Sequence, residues 1–76
     1  MERVYNYHMK TESERLGENL TRIRKEKGIS QDKLSRLLRI DRSFISNIEN
    51  GKTNPTLATI AKLAKAVGVP IEELMK

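Results

Sequence analysis

The sequence predicts an all-α protein built from five short helices around one small core. Three observations indicate this fold. Apolar residues recur at intervals of three and four positions, which is the period of an amphipathic helix. A good capping residue (serine, threonine or aspartate) stands near the start of each of the first four periodic segments, and glycine follows three of them. The 76 residues contain no cysteine, so disulfides and thiolate zinc sites are excluded and apolar packing, aided by dimerisation, must hold the helices together.

The length of the chain suits one domain of modest stability. A chain of this size buries only roughly 60% of the surface that its unfolded state exposes. The longest apolar runs are a few residues, which excludes a membrane span. The first residues, MERVYNYHMK, are polar and lack the apolar region of a secretory signal. We therefore expect a soluble, cytoplasmic protein without a membrane partner.

The first helix is predicted from about Ser13 or Glu14 to Lys27. Thr11 and Ser13 are both suitable caps, and Thr11 with Glu14 has the spacing of a capping box. The apolar stripe of this helix consists of Leu16, Leu20 and Ile23. Residues 1–12 carry little pattern, and we expect a disordered N-terminal tail there.

Two helices joined by a tight turn are predicted over residues 30–51. Ser30 caps the first helix and Asp41 the second, since a side-chain oxygen at these positions can accept backbone hydrogen bonds. Gly51 ends the second helix in a left-handed conformation. The apolar side chains are Leu34, Leu37 and Leu38 in the first helix and Ile45 and Ile48 in the second. Helices this short cannot bury their apolar faces alone, so the rest of the chain must form a platform for them.

Arg39 lies in the turn between these helices, over residues 38–41, where a tight helix-turn-helix usually has glycine or asparagine. A non-glycine residue in a left-handed conformation costs about 1 kcal/mol. Two explanations are open at this point. Arg39 compensates for the cost by contacting phosphate, or the turn has a slightly different geometry.

A fourth helix is predicted from about Thr56, its cap, to Val67. Its apolar face consists of Leu57, Ile60, Ala61, Ala64 and Val67, with Leu63 at the edge. Gly68 ends this helix, and Pro70 opens a short fifth helix over residues 71–76, because a proline is tolerated where the backbone N–H would lack a partner.

The positive charge is concentrated in the middle of the chain. Between Arg22 and Lys52 there are nine basic and four acidic residues, so this segment carries the whole net charge of +5. A solvated surface is the ordinary explanation of such charge, but here the charge coincides with the two-helix segment. Because phosphate neutralisation supplies most non-specific affinity for nucleic acids, the coincidence favours a polyanionic partner.

The second helix of that segment presents small polar and basic side chains, Arg42, Ser43 and Asn47, which suit base edges in a DNA major groove. Phe44 either touches a thymine methyl group or packs beneath the helix. Gln31 stands at the start of the preceding helix, where backbone N–H groups and a side-chain amide can together hold a phosphate. The alternative for Gln31 is that it is only an exposed helix former.

Three motifs occur at matching separations: R-x-x-x-G-[IL]-[ST]-Q at residues 24–31, I-S-x-I-E-N-G at 45–51 and N-P-T-L at 54–57. Together they resemble the Cro and lambda-repressor-like helix-turn-helix domains, also called the xenobiotic-response-element family, over about residues 14–75. The resemblance implies a compact five-helix lambda-repressor-like DNA-binding domain over residues 13–76, with the helix-turn-helix at residues 30–51.

The resemblance also implies roles for individual residues. Arg42, Ser43 and Asn47 would contact bases, and a bidentate contact of Arg42 with guanine is worth about 1–3 kcal/mol of discrimination. Arg24 and Glu49 would form a structural ion pair between the first helix and the end of the third. The residues expected to hold backbone phosphates are Gln31, Asn50 and Lys52, with Arg39 as a further candidate.

The function implied is that of a transcriptional regulator that binds double-stranded DNA sequence-specifically, as a homodimer on a palindromic operator. Ile71, Leu74 and Met75 are candidates for the dimer contact, with the intramolecular core as the alternative for Ile71 and Leu74. The segment I-D-R-S-F-I-S-N-I-E also resembles the controller proteins of restriction–modification systems.

The alternative function is an antitoxin or adaptor module whose helix-turn-helix domain chiefly binds a protein partner. Such a helix should expose more apolar surface than Arg42, Ser43 and Asn47 provide. We expect no enzymatic activity, since the sequence shows no nucleophile–base pair, metal cluster or phosphate loop. No cofactor, metal or small-molecule ligand is expected either.

Overall fold

The computed structural model describes residues 10–76, which form five helices and, within this range, no strand. The helices are α1 (Glu12–Glu26), α2 (Gln31–Leu38), α3 (Arg42–Glu49), α4 (Leu57–Val67) and α5 (Ile71–Met75). The predicted all-α fold is confirmed. Most of the tail expected over residues 1–12 lies outside the described residues. None of the helices in residues 10–76 combines the length and the hydrophobicity that crossing a bilayer requires.

Side-chain caps fix where three of the helices begin. At α1 the Glu14 amide donates to the Thr11 hydroxyl at 3.1 Å, and the Thr11 amide donates to the Glu14 carboxylate at 2.8 Å. This reciprocal pair is a capping box. Because Thr11 and not Ser13 is the cap, α1 begins at Glu12, slightly earlier than predicted. The caps of α2 and α4 are those predicted, Ser30 and Thr56.

The prediction that the Asp41 side chain caps α3 is wrong. Asp41 occupies the N-cap position, but its side chain makes no capping hydrogen bond. Its backbone carbonyl oxygen accepts from the Phe44 amide at 3.0 Å and from the Ile45 amide at 3.3 Å. The Phe44 amide, which the carboxylate would have capped, is thus satisfied by backbone, and Asp41 stays exposed.

Arg39 ends α2 in a left-handed backbone conformation, with φ 55° and ψ 45°. The Ile40 amide donates to the Ser35 carbonyl oxygen at 3.1 Å, which is the bond of a Schellman motif. Within residues 10–76, four residues have a positive φ. Three are glycines, Gly28, Gly51 and Gly68, and Arg39 is the fourth. The turn therefore has the ordinary left-handed geometry, and the explanation that it differs from the usual turn is excluded. Arg39 bears the steric cost of a non-glycine residue in this conformation.

One core joins all five helices. α1 packs against α3 and α5, α2 packs against α3 and α4, and α4 packs against α5. The apolar faces predicted for α1 and α3 are confirmed. The buried apolar residues are Leu16, Leu20, Ile23, Leu34, Ile45, Ile48, Ile60, Leu63, Ala64, Val67 and Leu74.

The apolar faces predicted for α2 and α4 need correction. Leu37 is 55% exposed, because it lies about 100° around the helix axis from Leu38 and outside the sector that faces the core. Leu57 is exposed as the first residue of α4, since a helical side chain points toward the N-terminus and here projects past the end of the helix. Ala61 is also exposed, whereas Leu63 is completely buried. The core face of α4 is therefore rotated toward Leu63.

Gly17 allows α1 to approach the end of α3 closely. A Cβ atom at this position would lie 2.5 Å from the carbonyl oxygens of both Ile48 and Glu49. Only a glycine fits without moving one of the two backbones. This contact sets the position of the last turn of α3 against α1.

Candidate nucleic-acid interface

α3 has a buried apolar face and a contiguous polar face. Ile45 and Ile48 are completely buried, and this fixes the rotation of the helix. Arg42, Ser43 and Asn47 are exposed and span about 140° of the helix circumference on the opposite side. The three predicted base-contacting residues therefore lie together on one surface, which we call the α3 polar face.

The start of α2 lies beside the α3 polar face. A shallow concave surface with a volume of about 300 Å³ is lined by Gln31 from α2 and by Arg42, Ser43 and Ser46 from α3. Gln31 and Arg42 also line a neighbouring concavity together with Asp32. The structure thus brings Gln31, predicted at a phosphate, next to two of the residues predicted at bases.

The Gln31 side chain is partly used inside the protein. Its Nε2 donates to Glu49 Oε1 at 2.8 Å, across the gap between the start of α2 and the end of α3. Its amide nitrogen is therefore directed toward the protein interior. The Lys33 amide donates to the Ser30 hydroxyl at 3.0 Å, so the backbone N–H groups of Gln31 and Asp32 are the donors that the first turn of α2 could offer to a phosphate.

The predicted ion pair of Arg24 and Glu49 is present and nearly enclosed. Arg24 Nε donates to Glu49 Oε2 at 2.6 Å, and Nη2 donates to Oε1 at 3.0 Å. The two side chains are 10% and 5% exposed. Arg24 Nη1 also donates to the Ile29 carbonyl oxygen at 2.9 Å. One guanidinium thus joins α1 both to the loop that precedes α2 and to the end of α3.

Opposing effects set the pKa of Glu49. Burial raises the pKa, but the hydrogen bonds from Arg24 and Gln31 and the positive charge of Arg24 outweigh it. The pKa of Glu49 is therefore lowered, and the carboxylate stays charged. The hydrogen bond to Glu49 raises the pKa of Arg24 against the effect of burial. The pair is accordingly ionised at neutral pH.

Arg42 lies close to a carboxylate of the neighbouring helix. Its Nε lies 3.4 Å from Oδ1 of Asp32, in the first turn of α2, and both side chains are 64% exposed. This contact belongs to the surface, in contrast to the enclosed pair of Arg24 and Glu49. The contact places the guanidinium of Arg42 beside the first turn of α2.

The remaining candidates for phosphate contacts flank α3 at both ends. Arg39 is exposed in the turn that precedes α3. Asn50 and Lys52 are exposed just after α3, and the Lys52 amide donates to the Asn47 carbonyl oxygen at 2.9 Å. Positive or hydrogen-bonding groups thus stand on either side of the α3 polar face.

Phe44 is half-buried and packs against the core, which favours the alternative in which it lies beneath α3.

At α5, Leu74 is completely buried within the single chain, and the Asn19 side chain donates to its carbonyl oxygen at 3.0 Å. The dimer contact proposed for Leu74 is corrected accordingly, because no part of its side chain is available to a second copy. Ile71 is half-buried and Met75 is 44% exposed.

A family model described as helix-turn-helix matches residues 20–74. The match spans more than half of the chain and includes α2, α3 and α4 in full. The chain belongs to this helix-turn-helix family. A regulator named as the uncharacterized HTH-type transcriptional regulator y4dJ, from Sinorhizobium fredii, is 37% identical over 60 residues, which cover 79% of the helix-turn-helix chain and 78% of that protein.

Two solved structures of controller proteins are similar to this chain. The restriction–modification controller C.AhdI from Aeromonas hydrophila is 37% identical, with a TM-score of 0.78 over 82% of this chain and 94% of that one. The controller C.Esp1396I, solved as a tetramer with its natural 35 base-pair operator, is 27% identical, with a TM-score of 0.74 over 88% of this chain and 99% of that one. The comparisons confirm the predicted family and the predicted class, a DNA-binding transcriptional regulator.

Two residues of the helix-turn-helix site were not singled out from the sequence. Ser46 lies on the α3 polar face, and its spacing of four from Arg42 and three from Ser43 could have placed it there. Asp32 belongs to a different helix from its partner Arg42, so no local spacing reveals the contact. The only signal was the opposite charge of the two side chains.

Proposed function

We propose that this chain is a sequence-specific DNA-binding regulator that reads an operator with α3 in the major groove. The observation that carries the proposal is the α3 polar face, held outward by the complete burial of Ile45 and Ile48. The major groove of B-DNA, about 12 Å wide, admits one α-helix. Arg42 reads guanine, Asn47 reads adenine, and Ser43 contacts a base or a phosphate.

Phosphate contacts orient this helix in the groove. Arg39 lies before α3, and Asn50 and Lys52 lie after it, so they can reach the strands that border the groove. The first turn of α2, at Gln31, supplies backbone N–H groups to a further phosphate. Because each neutralised phosphate releases counterions, binding should weaken steeply as salt is added.

We propose that the chain binds as a homodimer on an inverted repeat. Two copies related by a two-fold axis would place their α3 helices about 34 Å apart, one turn of DNA. Met75 and Ile71 on α5, with the exposed Leu57 at the start of α4, supply apolar surface for the contact. The tetramer that C.Esp1396I forms on its operator supports assembly on DNA in general terms.

Control of a restriction–modification system in the cytoplasm is the proposed biological setting. It rests on the likeness to C.AhdI over 94% of that chain. The adaptor or antitoxin alternative has less support, because the large apolar side chains exposed within residues 10–76 are Leu37, Leu57 and Met75, none of them on α3. A helix that docks chiefly on protein would expose more apolar surface there.

Selection of binding sites from random DNA, at a stated salt concentration, tests the proposal. The expected product is an enriched inverted repeat whose half-sites contain guanine and adenine. Absence of any enriched sequence would contradict sequence-specific binding and favour the adaptor alternative.

The variant Arg42→Ala tests the reading helix. We expect a loss of affinity for the selected operator of roughly fivefold or more, since a bidentate arginine–guanine contact contributes about 1–3 kcal/mol. Affinity for unrelated DNA should fall much less. Arg22→Ala is the matched control, because Arg22 is also an exposed arginine in an ion pair, with Glu26 on α1. Equal losses on both DNAs would contradict base reading by Arg42.

A further inference from the structure

The contact between Asp32 and Arg42 has no evident structural purpose. The two residues belong to different helices, Asp32 to the first turn of α2 and Arg42 to the first position of α3. Both side chains are well exposed, and exposed ion pairs contribute little to folding. Yet the acidic member stands on the surface that should meet the phosphates of DNA. A carboxylate there opposes DNA binding. As an acid in the first turn of α2, Asp32 also stabilises the start of that helix, but this effect does not require the contact with Arg42.

The atoms in contact suggest another role for Asp32. The Asp32 carboxylate approaches Nε of Arg42, at 3.4 Å. A guanidinium carries five N–H donors in a planar fork, one on Nε and two on each terminal nitrogen. A bidentate contact with guanine O6 and N7 needs two parallel N–H donors. Nε lies beside Asp32, and neither Nη1 nor Nη2 of Arg42 donates a hydrogen bond within residues 10–76, so the terminal nitrogens stay available as that pair.

We propose that Asp32 is a positioning residue that sets the base specificity of Arg42. Its carboxylate restricts the flexible arginine to a conformation in which Nη1 and Nη2 face the floor of the groove. The same negative charge repels phosphate and so weakens binding to all DNA alike. Asp32 therefore increases the difference between operator and unrelated DNA through the position of Arg42 and not through its charge alone. This inference rests on the proposed function, because it concerns how α3 reads bases.

The variant Asp32→Asn separates the positioning of Arg42 from a simple effect of charge. Loss of the acid should raise the affinity for unrelated DNA, while the affinity for the operator stays level or falls. The ratio of the two affinities should drop about two- to fivefold, the factor that corresponds to the stronger exposed ion pairs. Asp32→Glu retains the charge at the start of α2 and should restore much of the ratio.

Asp41→Asn is the matched control. Asp41 is next to Arg42 in the sequence and loses the same charge, but its side chain caps nothing and Arg42 pairs with Asp32 instead. Its replacement should raise the affinity for both DNAs alike. In the Arg42→Ala background, Asp32→Asn should likewise leave the ratio unchanged, because the residue that Asp32 positions is missing.

A position-specific readout completes the test. The guanine read by Arg42 is replaced by 7-deazaguanine, which lacks the N7 acceptor. The wild-type protein should lose more affinity on this substitution than Asp32→Asn does, a difference that a purely structural role would not produce. Circular dichroism confirms that the variants are folded.

The outcomes distinguish the two proposals. An unchanged ratio in Asp32→Asn, with equal gains on both DNAs, would overturn the role of Asp32 and leave sequence-specific binding intact. The same drop in Asp41→Asn as in Asp32→Asn would also overturn it. If the wild-type protein shows no preference for any sequence, the proposed function fails first and this inference falls with it.

Discussion

The Glu49 carboxylate accepts two hydrogen bonds from Arg24, at 2.6 and 3.0 Å, so the last residue of α3 is fixed to the last turn of α1. Gln31 donates to the same carboxylate, at 2.8 Å, from the first residue of α2. One buried carboxylate thus joins the three helices. The orientation of the α3 polar face depends on a charge that does not itself lie on that face.

Replacement of Arg24 by methionine should destabilise the protein strongly. The Glu49 carboxylate would remain buried without its cation, and breaking a buried pair in this way costs about 3–5 kcal/mol. For a domain of this size we expect the midpoint of thermal unfolding to fall by at least about 12 °C, since each 1 kcal/mol corresponds to about 4–8 °C. Thermal unfolding followed by circular dichroism measures the shift.

The control for Arg24→Met is Arg22→Met. Arg22 belongs to the same helix but pairs with Glu26 at the surface, at 3.8 Å, so its loss should change stability by only a few tenths of a kcal/mol. The double variant Arg24→Met/Glu49→Leu removes both charges and should recover most of the loss. An effect of Arg24→Met no larger than that of Arg22→Met would contradict the prediction.

The lowered pKa of Glu49 predicts a loss of stability in acid. A carboxyl group whose pKa is lower in the folded state stabilises the protein fully above its ordinary value of 4.5, and this contribution disappears as the pH falls through the lower folded value. Urea unfolding at a series of pH values below 5 should therefore show a declining free energy of unfolding. The Arg24→Met/Glu49→Leu variant should decline less steeply, and equal slopes would refute the assignment to Glu49.

Gly17→Ala should destabilise the protein although alanine is the better helix former. Inside a helix, alanine is favoured over glycine by about 0.5–1 kcal/mol. Here its Cβ would lie 2.5 Å from two carbonyl oxygens at the end of α3, and overpacking of this kind typically costs about 1–3 kcal/mol. The steric cost exceeds the gain. Urea unfolding of the variant should give a lower midpoint, and a higher midpoint would show that α1 moves aside without cost.

The sequence predicted best those features that depend on neighbouring residues. The spacing of Leu16, Leu20 and Ile23, and the caps Ser30 and Thr56, are local signals, and the structure agrees with them. The ion pair of Arg24 and Glu49 joins distant parts of the chain, and only the resemblance to a family indicated it. No local pattern contains a contact over 25 positions.

The features that were missed depend on how the helices pack. From the sequence alone, Gly17 is only an unfavourable residue within a helix. The reason for it is the close approach of the carbonyl oxygens at the end of α3, which no sequence pattern indicates. Leu37 and Leu57 match the helical period but are exposed, because periodicity does not say which sector of a helix the other helices cover. Asp41 stands at a capping position, but the backbone satisfies the amide that its side chain would have capped.

Arg39→Gly should stabilise the fold and weaken DNA binding. The left-handed conformation at φ 55° costs a non-glycine residue about 1 kcal/mol, part of which glycine loses again through its greater freedom in the unfolded chain. We expect a net gain of roughly 0.5 kcal/mol in the free energy of unfolding. Because a phosphate contact would disappear, affinity for all DNAs should fall alike, and the salt dependence of binding should become less steep.

Arg36→Gly is the control for the backbone argument. Arg36 is an exposed arginine within α2, where glycine costs about 1 kcal/mol, so this variant should be less stable than the wild type. If Arg36→Gly lowers the free energy of unfolding and Arg39→Gly raises it, the gain comes from the left-handed conformation at position 39. Unchanged DNA affinity in Arg39→Gly would count against the proposed phosphate contact of Arg39.

Met75→Glu should weaken the proposed dimer without unfolding the chain. Met75 is 44% exposed at the end of α5, so a carboxylate there remains in water in the single chain but would be desolvated between two copies. A loss of more than about 1 kcal/mol, as at a central interface residue, corresponds to an increase of at least roughly fivefold in the dissociation constant of the dimer. Sedimentation equilibrium measures this constant.

Leu37→Glu provides the matched comparison for the dimer surface. Leu37 is 55% exposed on α2, away from α5, and its replacement introduces the same charge at another exposed apolar residue. It should leave the dissociation constant of the dimer unchanged. If Leu37→Glu disrupts the dimer and Met75→Glu does not, the two copies meet through α2. The spacing between their α3 helices would then no longer be the one proposed for an inverted repeat.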